Sequence, residues 1–300
     1  MSEDVFEQQS FLCKYSVYLA LGGLQFSTII AYAQTTLSRL HMVNGVKFQV
    51  QCMPRYSRLK KGLQRIIPVK SRVRLPITPQ MLVQMVLQAS TSLVDTCWVA
   101  AALTTWFCCR RLGEVCSRTI ASFDPMRHLC NSDVQLLQDR VVLTWRTTKT
   151  RQSLGRPLII TVARQPEGHP LCLWRALNAY LLHPAASSIF SCGGQPLFQR
   201  VMGGKLSGQP LLKDMFVRSL RTRIQLCCPA SNPLDFSGHS FRIGCATWLA
   251  AAGADLGSIK NLGDWLSDAV LVYLQSTPSD HMRTSLQLGD LGAQSLLTLD

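Results

Sequence analysis

Five side chains carry the chemistry this sequence offers: Arg111, Lys149, His239, Arg242 and Tyr273. The pair Arg110-Arg111 closes the apolar run from Trp98 to Cys109, and Glu114 follows Arg111 by three residues, one helical turn. The tetrapeptide His239-Ser240-Phe241-Arg242 opens a second apolar stretch that continues to Ala252. Residues three apart share one face of a first turn, and a helix amino-terminus beside an arginine suits a phosphate. Lys149 falls in the turn Thr147 to Arg151, and Tyr273 is the one tyrosine beyond the His239 helix opening. Each also has an ordinary use: a surface ion pair of little worth for Arg111 with Glu114, an exposed turn for Lys149, a plain helix start for His239, a core aromatic for Tyr273. Their order and context say more than any one of them.

Charge narrows the partner. Lysine and arginine outnumber aspartate and glutamate by 31 to 17, giving +14 and a pI near 9.5. A chain that basic suits a polyanion, since each phosphate contact releases condensed counterions. No acidic residue occurs between Glu7 and Asp95, yet that stretch holds Lys14, Arg39, Lys47, Arg55, Arg58, Lys60, Lys61, Arg65, Lys70, Arg72 and Arg74. One sign of charge over a whole region is an electrostatic footprint for DNA or RNA, and Arg55, Arg58, Lys60, Lys61, Arg65, Lys70, Arg72 and Arg74 are the residues expected to make those contacts. Twelve cysteines include no C-x-x-C spacing, so neither a zinc site nor a disulfide framework is expected, and the thiols read as reduced core residues of a nuclear or cytoplasmic protein. The start Ser2-Glu3-Asp4 lacks the basic n-region of a secretion signal, and the most apolar windows, 17–33 and 98–109, are broken or too short to span a membrane.

The elements that must position these residues can be read from punctuation and period. Residues 4–21 are spaced as a helix ended by Gly22-Gly23; Ser27 begins a second that runs to about Val43 before Asn44-Gly45; Pro54 opens a third, strongly basic one through Ile67. Pro68 and the extended 69–74 read as a linker, giving a helical basic domain at 1–74 and a second domain at 75–300. Thr78-Pro79 is a cap with proline at the first helical position, and a further helix runs from Leu93 to Cys109. Three short β-branched runs, 134–137, 141–145 and 158–162, form a small antiparallel sheet. Helices return at 170–182, 211–226 and 239–252, with two short ones at 255–262 and 267–275. The fold class is thus mainly α with a small antiparallel β-sheet.

Over nearly its whole length the chain resembles the tyrosine recombinase (phage integrase-like) family. Arg111-Leu112-Gly113-Glu114, with Phe123-Asp124 after it, matches the family's first arginine motif; Arg110 is a rival that the spacing to Glu114 disfavours. Lys149, ahead of Gly155-Arg156-Pro157, matches the lysine on a β-hairpin, His239-Ser240-Phe241-Arg242 the H-x-x-R helix, and Leu262-Gly263 followed by Tyr273 the Leu-Gly element and nucleophile. Stretches such as Pro54-Arg55-Tyr56, Lys61-Gly62-Leu63-Gln64-Arg65 and Gly263-Asp264-Trp265-Leu266-Ser267-Asp268-Ala269 are most similar to recombinases of eukaryotic mobile elements of Crypton or DIRS type. One departure stands out: the family has histidine or tryptophan directly after Leu-Gly, whereas here Asp264 holds that slot and Trp265 comes one residue later.

The resemblance implies a helical core-binding domain followed by an α+β catalytic domain, and site-specific recombination of double-stranded DNA by a homo-oligomer, a tetramer on DNA. It implies attack by Tyr273 on a phosphodiester to give a 3′-phosphotyrosyl bond. A phenol of pKa about 10 needs nearby cations or a base to react at neutral pH. Arg111 and Arg242 would fork the non-bridging oxygens, Lys149 would protonate the leaving 5′-oxygen, His239 would move or orient a proton, and Trp265 could donate its indole N–H. No acidic cluster suited to two magnesium ions accompanies the set, so no metal or cofactor is expected. An inactive, domesticated DNA-binding protein and a type IB topoisomerase remain as alternatives. The apolar residues Met282, Leu286, Leu288, Leu291, Leu296 and Leu297 could dock on a neighbouring copy or within the chain.

Overall fold

The computed structural model describes residues 3–45, 53–68, 74–151, 155–186 and 193–274. Lys70, Arg72 and the apolar segment beyond Tyr273 lie outside them. The chain divides into two compact units, Met1–Arg72 and Val73–Asp300.

The first unit is three helices, α1 (Glu3–Leu21), α2 (Phe26–Asn44) and α3 (Pro54–Ile66). Leu12, Ala33, Leu37, Met53 and Tyr56 form its core. No side chain caps α3 locally. Instead the buried Gln9 of α1 accepts the Arg55 backbone N–H at 2.8 Å, satisfying one of the donors that a helix start leaves open. With Tyr56 and Leu63 turned inward, Arg55, Arg58, Lys60, Lys61 and Arg65 are all exposed.

The second unit is built around α5 (Leu93–Phe107), most of whose residues are buried. A helix that is apolar all round must sit inside the fold rather than on it. Thr78 caps α4 (Pro79–Leu87) by accepting the Met81 N–H, as the Thr-Pro pair leads one to expect. The short α6 (Leu112–Val115) follows α5 directly. The sheet has antiparallel order β1 (Val134–Leu136), β2 (Arg140–Trp145), β3 (Leu158–Ala163), with Trp145 paired to Leu158 and Arg140 to Ala163. Alternation buries Val141, Leu143, Trp145, Leu158, Ile160 and Val162 on one face. Next come α7 (Leu173–Leu181), α8 (Lys213–Cys227), α9 (Gly238–Ala251) and α10 (Leu256–Gly263).

Two features differ from the sequence reading. A second hairpin, β4 (Gln199–Met202) and β5 (Lys205–Pro210), lies between α7 and α8. Its turn is Gly203-Gly204, both at positive φ, a two-residue hairpin signal that is plain once sought. The last element is not an α-helix over 267–275 but a 3₁₀ helix, Asp268–Tyr273, anchored by the Thr247 hydroxyl of α9, which donates to the Tyr273 carbonyl at 2.8 Å.

Helix α9 lies hard against the segment before α4. A Cβ at Gly244 would come within 2.1 Å of the Ile77 carbonyl oxygen and 2.7 Å of the Trp106 ring. Gly244→Ala is therefore expected to destabilise the second unit by about 1–3 kcal/mol through overpacking. The measurement is urea unfolding, where the midpoint should fall with little change in slope; an unchanged midpoint would show that the contact relaxes freely.

Candidate active site

Helix α5 ends in a Schellman-type turn, in which the Arg110 N–H reaches back to the Thr105 carbonyl and the Cys109 N–H to Trp106. Cys109 occupies the left-handed position at φ 48°, where glycine is usual. This turn sends the two consecutive arginines in different directions. Arg110 is fully buried, with Nε donating to the Cys108 carbonyl at 3.1 Å, Nη2 to Leu262 at 3.4 Å, and the Glu114 carboxylate 3.6 Å away. Its guanidinium lies over the Trp145 ring, and Nη1 has no protein partner.

Arg111 is partly exposed and is the first residue flanking α6. Its Nη1 donates to Glu114 Oε1 at 3.1 Å, and Glu114 also accepts the Arg111 backbone N–H. The carboxylate thus orients the guanidinium from behind. Arg111 lines an open cleft of about 480 Å³ together with Gly113, Glu114, Arg127, Thr147, Thr148, Lys149 and Lys213. Four cations face one carboxylate there, and the carboxylate is already engaged. Arg127 and Lys213 carry no motif in the sequence; only tertiary structure brings them to Arg111 and Lys149.

The remaining candidates form a stack. Ser237 caps α9, presenting His239 and Arg242 from its first turn. Arg242 is 1% exposed; it donates through Nη1 to the Cys109 carbonyl at 2.9 Å and through Nη2 to Gly263 at 2.7 Å. Its guanidinium lies 3.8 Å from the centre of the Trp265 ring. Trp265 in turn meets the Tyr273 ring at 5.7 Å, and His239 meets Tyr273 edge to face at 4.9 Å. Tyr273 is half-buried and His239 is exposed.

Between the cleft and the stack lies the turn Leu262 to Trp265. Gly263 has no room for a side chain, since a Cβ would fall 1.7 Å from the Trp265 ring. Asp264 closes α10 in a left-handed conformation, φ 55° and ψ 50°, a region that aspartate tolerates better than most residues. Its buried carboxylate accepts hydrogen bonds from Thr148, Thr150 and Arg151, the residues on either side of Lys149. The unusual residue in the Leu-Gly motif is thus an anchor for the lysine turn. The pairing spans more than a hundred positions, and no local signal in the sequence discloses it.

Arg74 of the expected DNA-binding set does not extend freely: its Nη1 donates to the Leu234 carbonyl at 2.8 Å within the second unit. Arg55 lies over the Phe6 ring at 4.9 Å. Ten cysteines among the described residues are free, no group of three or more His, Cys, Asp or Glu among those residues could hold a metal ion, and none of their helices is long and apolar enough to cross a membrane.

Partial loss of hydration where the ring packs on Tyr273, although its other edge is exposed, and then the positive charges of Arg242, Arg111 and Arg74 pull the His239 pKa below its ordinary value. Burial also lowers Arg242, to about 10, with Arg111 and Arg110 adding to the effect; it remains cationic at neutral pH. For Asp264, burial alone would raise the carboxyl, but the bonds from Thr148, Thr150 and Arg151 and the charge of Arg110 outweigh it and hold the pKa low.

The three-helix first unit and the α+β second unit match the fold of the core-binding and catalytic domains of solved tyrosine recombinases. The solved structure of the XerH site-specific recombinase, in a post-cleavage complex with palindromic difH substrate, aligns with 95% of this chain and 71% of its own at 14% identity and a TM-score of 0.55. The Tn1549 transposon integrase, in complex with a circular intermediate DNA, aligns with 93% of this chain and 84% of its own at 14% identity and a TM-score of 0.53. No family model matches the sequence, and no curated protein matches it.

The imidazole is expected to stay neutral at pH 7 and to titrate below the ordinary 6.5. Between the folded and unfolded values the unfolded chain takes up the proton first, so this group's contribution to stability is present above pH 6.5 and lost as pH falls. An NMR titration of the His239 ring protons checks this, and Arg111→Ala should move the midpoint upward. A wild-type midpoint at or above 6.5 would contradict the electrostatic account.

Proposed function

We propose that this protein cuts and rejoins double-stranded DNA as a site-specific tyrosine recombinase, with Tyr273 as nucleophile. The observation that carries the reading is the meeting, around one turn, of a cationic cleft bearing Arg111 and Lys149 and a stack of Arg242, Trp265, Tyr273 and His239. In the proposed step the Tyr273 oxygen attacks phosphorus, a bond from phosphorus to the phenolic oxygen forms, and the bond to the 5′-oxygen breaks. The phenol proton passes to His239, whose lowered pKa leaves it neutral and able to accept. Lys149 gives a proton to the departing 5′-oxygen. Charge that builds on the non-bridging oxygens is met by Arg111, with Arg127 and Lys213 adding to the field of the cleft.

No step uses a metal. The phosphotyrosyl bond conserves the energy of the broken linkage, so a second 5′-hydroxyl can reverse the reaction without a nucleotide cofactor. Exchange between two duplexes requires several copies, so a homo-oligomer on DNA, a tetramer in the family's manner, belongs to the proposal. The exposed basic face of α3, with Arg55, Arg58, Lys60, Lys61 and Arg65, supplies phosphate contacts that hold DNA without reading its sequence. We further propose a mobile-element recombinase of Crypton or DIRS type acting in a nucleus.

A library of nicked, random-sequence duplexes, built so that the short 5′ strand diffuses away after cleavage, tests the reading. Wild-type protein should become joined to DNA in a linkage that survives denaturation, and Tyr273→Phe should not. Arg111→Ala should slow adduct formation about 10²-fold or more, the usual effect of losing one transition-state donor. DNA binding without any adduct would favour a non-cutting DNA-binding protein. Adduct formation with relaxation of a single supercoiled circle, and no joining of two duplexes, would favour a topoisomerase.

A further inference from the structure

We propose that Asp264 is a positioning residue for the proton donor: it holds the Lys149 turn on the turn that carries Trp265, so that one carboxylate sets the lysine relative to the nucleophile. The inference rests on the reading of Lys149 as general acid.

The geometry is specific. Thr148 Oγ1 donates to Asp264 Oδ2 at 2.5 Å, Thr150 Oγ1 donates to the same oxygen, and Arg151 Nε donates to Oδ1 at 2.7 Å. Both carboxylate oxygens are therefore committed to a three-residue bracket around Lys149. Lys149 itself is exposed and lines the cleft beside Arg111. Its neighbours turn toward Asp264, while Lys149 itself remains on the lining of the cleft that a phosphate would fill.

On the other side, Asp264 is fixed by its own backbone. Its N–H closes α10 on the Asn261 carbonyl, the carbonyl before it is held by Arg242, and the ring after it lies against the Arg242 guanidinium and meets the Tyr273 ring at a tilt. A carboxylate cannot donate to a phosphate oxygen as an imidazole or an indole does. An unpaired anion here would repel the substrate; buried at 4% exposure and paired with Arg151, it does neither. Its use is to connect. A turn lysine is ordinarily free to swing, and proton transfer in a transition state demands hydrogen-bond reach.

The test is to compare two nicked duplexes of the same captured sequence using the full chain. One has the natural 5′-oxygen at the cleavage point. The other has sulfur in that bridging position, which leaves as a thiolate and needs no proton. Wild-type protein should form adduct on both. Lys149→Ala should be slowed about 10²-fold or more on oxygen and recover to near wild type on sulfur. Asp264→Ala should reproduce that pattern, Asp264→Asn should fall between, and Arg111→Ala should stay slow on both. Asp264→Ala equal to wild type on oxygen, or equally slow on oxygen and sulfur, would overturn the inference while leaving the proposed function standing.

A wild-type protein that forms no adduct on either duplex would remove the function itself. A measurement independent of activity keeps the positioning claim exposed. Backbone amides of 148–151 should exchange hydrogen faster in Asp264→Ala while those of α5 keep their protection; unchanged exchange in that turn would refute the latch.

Discussion

The arrangement depends on how four residues, Leu262 to Trp265, are held. Their backbone carbonyls are gripped by two buried guanidiniums: Arg110 on Leu262 and Arg242 on Gly263. Their side chains reach in two directions, Asp264 to the Lys149 turn and Trp265 to Arg242 and Tyr273. Every candidate reacting group except Arg111 is thereby at most two contacts from this turn, His239 through Tyr273 and Trp265. Arg111 follows the end of α5, which Arg242 of α9 holds at the Cys109 carbonyl. The close packing of Gly263 on the Trp265 ring leaves the turn little room to adopt another shape.

Burying two arginines side by side is costly, and the surroundings show how it is offset. Each has carbonyl acceptors and an aromatic face, and Glu114 lies between Arg110 and Arg111. Hydrogen bonds from a charged donor contribute about 1.5–3 kcal/mol each, roughly twice the neutral value, but only where the charge survives. The Arg242 pKa, though lowered to about 10 by burial and its cationic neighbours, leaves it protonated at neutral pH. The guanidinium is thus both a structural tie and a charge set close to the cleft.

Local features of the sequence disclosed the framework well. Thr78-Pro79, the α5 run and the three β-branched segments each contain their own start, period and stop, which is why their elements follow from neighbours in the chain. The hairpin at Gly203-Gly204 was equally local, but its strands include Gln199, Arg200, Lys205, Ser207 and Gln209, so period alone did not disclose it. The site was legible only in part. Arg111, Lys149, His239, Arg242 and Tyr273 stood out by motif, whereas Arg127 and Lys213 look like any surface cation until folding brings them to the cleft. Asp264 is the clearest case. Read along the chain it departs from a pattern; read in three dimensions it is the acceptor for three donors from a distant turn. Long-range pairing leaves no periodic trace in a single sequence.

The charge balance around the cleft has a consequence for how such a site would respond to a phosphate. Arg242, Arg111 and Arg74 disfavour a proton on His239, so the site sets a neutral imidazole among cations at neutral pH. An anion seated in the cleft cancels part of that repulsion and must raise the affinity of His239 for a proton. By linkage, a protonated His239 must bind the anion more tightly by the same factor. In the proposed step His239 becomes a cation as it takes the phenol proton, while charge is growing on the phosphate, which is when an additional positive charge stabilises the transition state rather than the bound substrate. The cations that depress the imidazole are therefore what would leave it free to gain charge in the proposed reaction.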